Sequence, residues 1–326
     1  MIKPEIPENE AERLHALRTL QILDTSHEER FDRVTRMAKR MFGVSISLVS
    51  LIDKDRQWFK SKQGFETTET TETTETPRDI SFCGHAINQD GLFIIPNASK
   101  DERFFDNPLV TAAPKIRFYA GYPLKIREGL NIGTLCLIDE EPREMDEEDQ
   151  QLFRDLGAII EQEIKSIQLA TLDALTLISN RRGFLNLMEH SLKMCRRNEI
   201  STSFLLFDLD KFKAINDDYG HHEGDFVLTR FARLMIRVFR DSDVIGRLGG
   251  DEFVAMLSGF DEENTDTILT RFATAVEEEN AIMNKPYKIE YSVGLVHFQH
   301  DAEKTSEEMI QEADTAMYKS KRGKLR

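Results

Sequence analysis

Ser203-Phe-Leu-Leu-Phe-Asp-Leu-Asp210 and Asp243-Val-Ile-Gly-Arg-Leu-Gly-Gly-Asp-Glu-Phe-Val-Ala-Met-Leu257 decide the fold of the second half of the chain. The first is a short apolar run that ends in acid, as a central buried strand does. The second splits at Gly249-Gly250 into two strand-like halves, 243–248 and 251–257, which predicts a hairpin with the glycines at its tip. If these strands are neighbours, Asp208, Asp210, Asp251 and Glu252 converge at one edge of a sheet. Packed carboxylates repel unless a cation joins them, so the pattern calls for a hard divalent metal held by oxygen. Mg²⁺ on a few carboxylates plus substrate phosphates is the usual arrangement for phosphoryl transfer. A Gly-Gly pair alone is weak, since chance supplies about one in a chain of this length and a plain turn explains it. Its glycines matter here because a chain without Cβ atoms can lie close against a ligand.

Outward from this core the second half alternates. Helices are expected over 182–195, 225–240 and 261–280, a strand over 288–296, and a last helix from Thr305, where Glu308 completes a capping box. In the first half, 8–23 and 28–41 have helical spacing, and 44–52 alternates as a strand with 56–65 as its hairpin partner. Residues 66–76 repeat Glu-Thr-Thr without an apolar residue and are expected as a mobile loop. Residues 118–126 and 131–138 pair about a Glu128-Gly129 turn. A long helix then runs from 145 to 171, its start rich in acids. Phe153, Leu156, Ile160, Ile167 and Ala170 form a stripe on it, interrupted by Glu163. That stripe fits either a core helix of the first domain or a dimer helix between two domains.

The fold class is therefore α/β (α+β). Two domains, each a central, mainly antiparallel sheet flanked by helices, are joined by a long coiled-coil-like helix. The expected boundaries are 1–145, 146–171 for the helix, and 172–326.

The 326 residues are 40% hydrophobic and 31% charged, with net charge −15 and pI near 5.1. No basic block offsets that balance, which excludes nucleic acid as a partner. No apolar run approaches the ~20 residues of a membrane span. The start, Met1-Ile-Lys-Pro-Glu5, has no signal-peptide core, so a cytoplasmic protein is expected. Cys83, Cys136 and Cys195 are too few for a disulfide framework and lack zinc-site spacing.

Gly249-Gly-Asp-Glu-Phe253 spells the signature of the GGDEF family of diguanylate cyclases, and the resemblance covers 171–326. Asp173-Ala-Leu-Thr-Leu-Ile-Ser-Asn-Arg-Arg182, Phe207–Asn216, Tyr219–Asp225, Ser292-Val-Gly294 and Ala313–Lys321 resemble the family's other segments in order. The resemblance implies condensation of two GTP into cyclic di-GMP and pyrophosphate, dependent on Mg²⁺ or Mn²⁺, by a homodimer. It implies metal ligation by Asp208, the Leu209 carbonyl, Asp251 and Glu252, with one of the last two as base. Phe212, Lys213, Asn216, His221, Asp225, Gly249, Gly250, Lys321 and Lys324 would contact GTP. Asn216 and Asp225 would read guanine, since a carboxylate accepts from the N1–H and N2–H₂ edge that adenine lacks. Arg240 and Asp243 stand at the spacing of the family's product-inhibition site.

Plainer readings stand beside these. Asn216 could cap or turn the chain, Asp225 could be a helix N-cap, and His221 could be a satisfied loop histidine. Lys213 and Lys321 could be solvated, and Arg240–Asp243 could be a helix-end salt bridge. Two departures are visible. Leu177 stands where the family has Gly. Lys324 stands where it has Arg, with the segment one residue short, and Lys lacks the bidentate fork that Arg offers phosphate.

Residues 10–166 resemble a GAF sensor domain, through 44–53, Gly121-Tyr-Pro-Leu124, Gly133–Asp139 and Thr76–His85. The GAF ligand is not named by any of these residues. Cys83 and His85 resemble a bilin or redox site only loosely, with Gly84 between them, and a packed Cys and structural His are preferred. A sensor-controlled diguanylate cyclase is the leading function. An inactive GGDEF domain serving as a cyclic di-GMP or GTP receptor is the alternative.

Overall fold

The computed structural model describes residues 1–65, 74–259, 262–302 and 304–324. They form two compact units, Met1–Gln168 and Leu169–Arg326. Among the described residues no helix is long and apolar enough to cross a membrane.

The first unit runs α1 (Glu10–Thr19), α2 (Glu29–Phe42), β1 (Ile46–Ile52), β2 (Arg56–Gln63), β3 (Glu75–Pro77), α3 (Phe82–Ala86) and β4 (Phe93–Ile95). It continues with α4 (Pro108–Thr111), β5 (Phe118–Arg127), β6 (Leu130–Asp139) and α5 (Glu147–Thr171), whose last turn enters the second unit. The strands form one antiparallel sheet in the order β3-β2-β1-β6-β5-β4. β6 is buried along its whole length because both faces are covered. One face packs Ile46, Leu48, Tyr119 and Cys136 beneath Phe82, Cys83 and Phe104. Residues 66–73 of the Glu-Thr-Thr stretch lie outside the described residues. Its end, expected as mobile loop, is instead an edge strand, with Arg56 opposite Pro77.

Helix α5 carries a buried apolar stripe and an outward stripe of mixed apolar and polar residues. Phe153, Leu156, Ile160 and Ile164 are buried in the first unit. Phe153 meets Phe42 of α2 edge-on at 5.8 Å, and Glu161 accepts from the Tyr122 hydroxyl and the Lys125 amide of β5. Glu163, expected to interrupt a seam, faces Arg30 and Arg33 of α2 at 4.0 and 3.9 Å. Leu156 and Ile160 are thus core residues, which favours the core-helix reading of this stripe over pairing with a copy of the chain. The outward stripe is Leu152, Asp155, Ile159, Gln162, Ser166 and Leu169, with Ile159 39% and Leu169 67% exposed.

The second unit runs α6 (Arg181–Arg197), β7 (Thr202–Leu209), α7 (Phe212–Tyr219), α8 (His221–Val238), β8 (Val244–Gly249), β9 (Glu252–Ser258), α9 (Glu262–Met283), β10 (Tyr291–Phe298) and α10 (Ser306–Lys324). The sheet order is β10-β7-β9-β8, antiparallel throughout. Side chains of a strand alternate between faces. Leu205, Phe207 and Leu209 of β7 enter a core with α8 and α9, whereas Phe204 and Leu206 enter another with α6 and α10. A central strand buried on both faces explains the uninterrupted apolar run in the sequence.

Candidate active site

The alternation of β7 places Asp208 on the α6/α10 face of the sheet, directly opposite Glu252 in the β7–β9 ladder. Next in line, the Leu209 amide donates to the Asp251 carbonyl at 3.2 Å. Asp210 is held at the same sheet end: its amide donates to the Glu290 carbonyl at 2.8 Å, and its carboxylate accepts at 2.8 Å from the hydroxyl of Ser292, the register partner of Asp208 in β10. Asp208, Asp251 and Glu252 therefore meet at one sheet end, and Asp210 adds its charge there through Lys321.

Burial pushes the Asp251 carboxyl above its ordinary range, and the charge of Asp208 adds to that, against Lys321 and Arg247. Glu252 is raised first by burial, then by Asp208, Asp251 and Asp314 of α10. Burial is the first cause of both shifts, and neighbouring acids add to it. The Lys321 ammonium is bonded to Asp208; burial lowers its pKa, but Asp208, Asp210 and Asp251 together outweigh this and raise it. Among the described residues no three acids stand close enough to enclose an ion as they are. The donor set is nonetheless hard oxygen alone, and Lys321 already draws on its need for positive charge, so the residues fit a divalent cation such as Mg²⁺.

The hairpin tip is held from one side. Gly249 and Gly250 have φ of 155° and 51°, the latter in the left-handed region that glycine enters without cost. Arg247 Nε and Nη2 both donate to the Gly250 carbonyl, at 2.9 and 2.7 Å. Its Nη1 reaches the Asp173 carboxylate at 3.1 and 3.2 Å.

Asn216 and Asp225 come from consecutive helices. α7 continues to Tyr219, and α8 begins at His221 with Gly220, φ 89°, as its N-cap. Neither plain reading holds: Asn216 lies within a helix, and Asp225 lies a turn inside one. Asn216 Oδ1 sits where a Cβ on Gly224 would approach within 2.1 Å, which brings Asn216 beside the turn that carries Asp225. Phe212 is half-buried at the start of α7, Lys213 and His221 are exposed, and the side chain of Lys324 lies outside the described residues.

Arg240 and Asp243 form a reciprocal turn. The Arg240 amide donates to Asp243 Oδ2 at 2.8 Å, and the Asp243 amide donates to the Arg240 carbonyl at 2.9 Å. One oxygen of the Asp243 carboxylate is thus committed to backbone, and its burial raises its pKa. Beside this turn a cavity of about 550 Å³ is lined by Arg237, Arg240, Arg271 and Glu278. Arg271 comes from α9, far along the chain, and no local pattern singled it out.

Residues 26–164 match the family model of the GAF domain, and residues 170–325 match that of the diguanylate cyclase, GGDEF domain. The chain is a GAF–GGDEF protein. It is 31% identical over 306 residues to a cyclic di-GMP phosphodiesterase of Pseudomonas aeruginosa, covering 92% of this chain and 50% of that one. It is 32% identical over 206 residues to the probable diguanylate cyclase DgcE of Escherichia coli, covering 63% of this chain and 17% of that one. The chain thus spans half or less of these relatives. The solved GGDEF domain of DgcB from Caulobacter crescentus, in complex with c-di-GMP, is 26% identical, with a TM-score of 0.43 over 47% of this chain and 91% of that one.

In the GGDEF domain, Leu177 has φ 58°, the conformation that the family's glycine suits, and is 1% exposed. An L residue there costs about 1–2 kcal/mol, against about 1.5–3 kcal/mol from burying a leucine side chain, so the departure is affordable. In the GAF domain, Cys83 is buried with its sulfur 3.9 Å from that of Cys136, and the Tyr119 hydroxyl donates to it at 3.3 Å. The His85 ring lies edge-on to Phe104 at 4.9 Å, with Nε2 3.1 Å from the Ile2 carbonyl. Both residues are packed parts of the core region.

Proposed function

We propose that the GGDEF domain is a diguanylate cyclase that condenses two GTP into cyclic di-GMP with release of pyrophosphate. The opposition of Asp208 and Glu252, with Asp251 at the turn, carries this reading. Asp208, Asp251 and Glu252 would hold the cation together with the Leu209 carbonyl. When bound, Mg²⁺ or Mn²⁺ supplies charge stabilisation to the phosphates and the developing alkoxide. Asp251 takes the proton of the ribose 3′-hydroxyl, and that oxygen attacks the α-phosphate of the second GTP as pyrophosphate leaves. Lys321 and Lys213 offset phosphate charge, with Lys324 a further candidate. Phe212, His221, Gly249 and Gly250 border the nucleotide, and Asn216 and Asp225 select guanine.

Two nucleotides must meet, so the active form is a homodimer, and the outward stripe of α5 is the surface proposed to join the copies. The product binds as a feedback inhibitor at the arginine-lined cavity beside Arg240 and Asp243. The GAF domain controls the enzyme, which acts in the cytoplasm on soluble GTP.

A second reading, a receptor domain without turnover, draws support from the relative named as a phosphodiesterase across nearly the whole of this chain. Incubating the purified chain with GTP and Mg²⁺ and resolving the nucleotides decides between them. Cyclic di-GMP and pyrophosphate are expected; unchanged GTP with saturable cyclic di-GMP binding would assign the receptor.

A further inference from the structure

We propose that Arg247 is the positioning residue of the catalytic hairpin, fixing the Gly250–Asp251 peptide and tying it to the segment that follows α5. The inference rests on the cyclase reading of the site.

The tip of this hairpin cannot position itself. Gly249 and Gly250 have no side chains to pack, and glycine loses more conformational freedom on ordering than any other residue. Yet Asp251, the next residue, must hold its carboxylate steady beside Asp208 and Glu252, which repel it. The carbonyl of Gly250 belongs to the same planar peptide as the amide of Asp251, so fixing one sets the other. Two N–H groups of a single guanidinium converge on that carbonyl, at 2.9 and 2.7 Å. Such a charged, planar fork restrains direction as well as distance.

The guanidinium is itself held. Its third contact is the Asp173 carboxylate, and the Arg247 side chain is only 13% exposed. Asp173 is anchored by the Thr176 amide and hydroxyl, at 2.9 and 2.7 Å. Its own amide donates to the Ile178 carbonyl at 2.9 Å, and the Arg247 amide donates to the Ser179 carbonyl at 2.8 Å. The loop 172–180 is therefore laid against β8 by backbone and clamped to the hairpin tip by one side chain. Its first residue follows Thr171, the end of α5. Through Asp173 and Arg247, a displacement of that helix end reaches the peptide next to Asp251 without crossing the sheet.

Lysine at this position keeps the charge but cannot hold Asp173 and the Gly250 carbonyl together. Arg247→Lys should lower kcat for cyclic di-GMP synthesis about 100-fold, as a misplacement of about 1 Å does. KM for GTP should move less than about threefold, because Arg247 acts on Asp251 rather than on the nucleotide. Mn²⁺ binding, followed by electron paramagnetic resonance, should weaken at least about tenfold, as loss of a ligand's support does. Asp173→Asn should move kcat and Mn²⁺ affinity in the same direction, and it serves where Arg247→Lys does not fold by thermal melting. Folded variants with unchanged kcat and Mn²⁺ affinity would overturn the proposal. An unmodified chain that binds Mn²⁺ but makes no product removes the cyclase reading, and the Mn²⁺ comparison then decides on Arg247 alone. An unmodified chain that does neither removes both.

Discussion

Asp208 and Glu252 are register partners in the antiparallel ladder of β7 and β9, so backbone hydrogen bonding holds two like charges face to face. Like charges directly opposite one another in a ladder are destabilising. The sheet therefore carries a built-in strain that a bound cation would relieve.

Replacing one acid should improve the fold and remove the chemistry. Asp251→Asn should abolish cyclic di-GMP synthesis, at least about 1000-fold, while Tm without metal stays level or rises. Thermal melts with and without Mg²⁺ check this. Unchanged turnover, or a metal-dependent rise in Tm as large as in the unmodified chain, would sink the assignment of Asp251.

Base choice should follow Asp225 and Asn216. The first lies one residue past Gly224, against which Asn216 packs. Asp225→Ala should weaken GTP binding or narrow its preference over ATP by about 10-fold or more, since a site built to bond a polar edge rejects ligands that lack it. Competition of both nucleotides for a fluorescent GTP analogue measures this, and equal binding by the unmodified chain contradicts it.

Feedback should depend on guanidinium groups more than on Asp243, whose carboxylate is engaged by the Arg240 amide. Arg240→Ala and Arg271→Ala should each raise the cyclic di-GMP concentration for half inhibition about 10-fold or more, with little change in the uninhibited rate. Identical inhibition curves would reduce the arginines to surface charge.

Two neighbours on α5 should behave in opposite ways. Ile160 is fully buried, and Ile160→Asp should unfold the GAF domain, because an unpaired charge in a core costs several kcal/mol. Ile159 is on the outward stripe, and Ile159→Asp should leave the melt intact while weakening self-association and synthesis together. Sedimentation and product assays test this. Full activity from a monomeric variant would be fatal to the dimer.

That contrast shows where sequence patterning stopped. The strand 203–208 and its hairpin neighbour were legible because apolar alternation and a Gly-Gly turn have few other meanings. Helix α5 was legible as a helix, and so was most of its apolar stripe, but spacing alone does not tell a core face from a dimer face, and the packing of Phe153 on Phe42 shows the former. The start of α8 was placed four residues late, at Asp225, a residue type that also suits an N-cap, whereas two glycines flank the true first turn. One of them caps the helix, and the other makes room for Asn216. The Arg247–Asp173 pair spans 74 positions and has no local signature at all.

The placement of Asp208 between Phe207 and Leu209 has a further consequence. Both neighbours are almost wholly enclosed in the aromatic side of the domain. Sliding β7 by one residue would thrust a carboxylate among Phe231, Phe253 and Phe272 and expel Phe207 in the same stroke. A chain so mispaired would not persist as a folded, silent enzyme; it would fail to fold and fall to proteolysis. Quality control of the protein and competence of its active centre are in this way decided by one and the same strand.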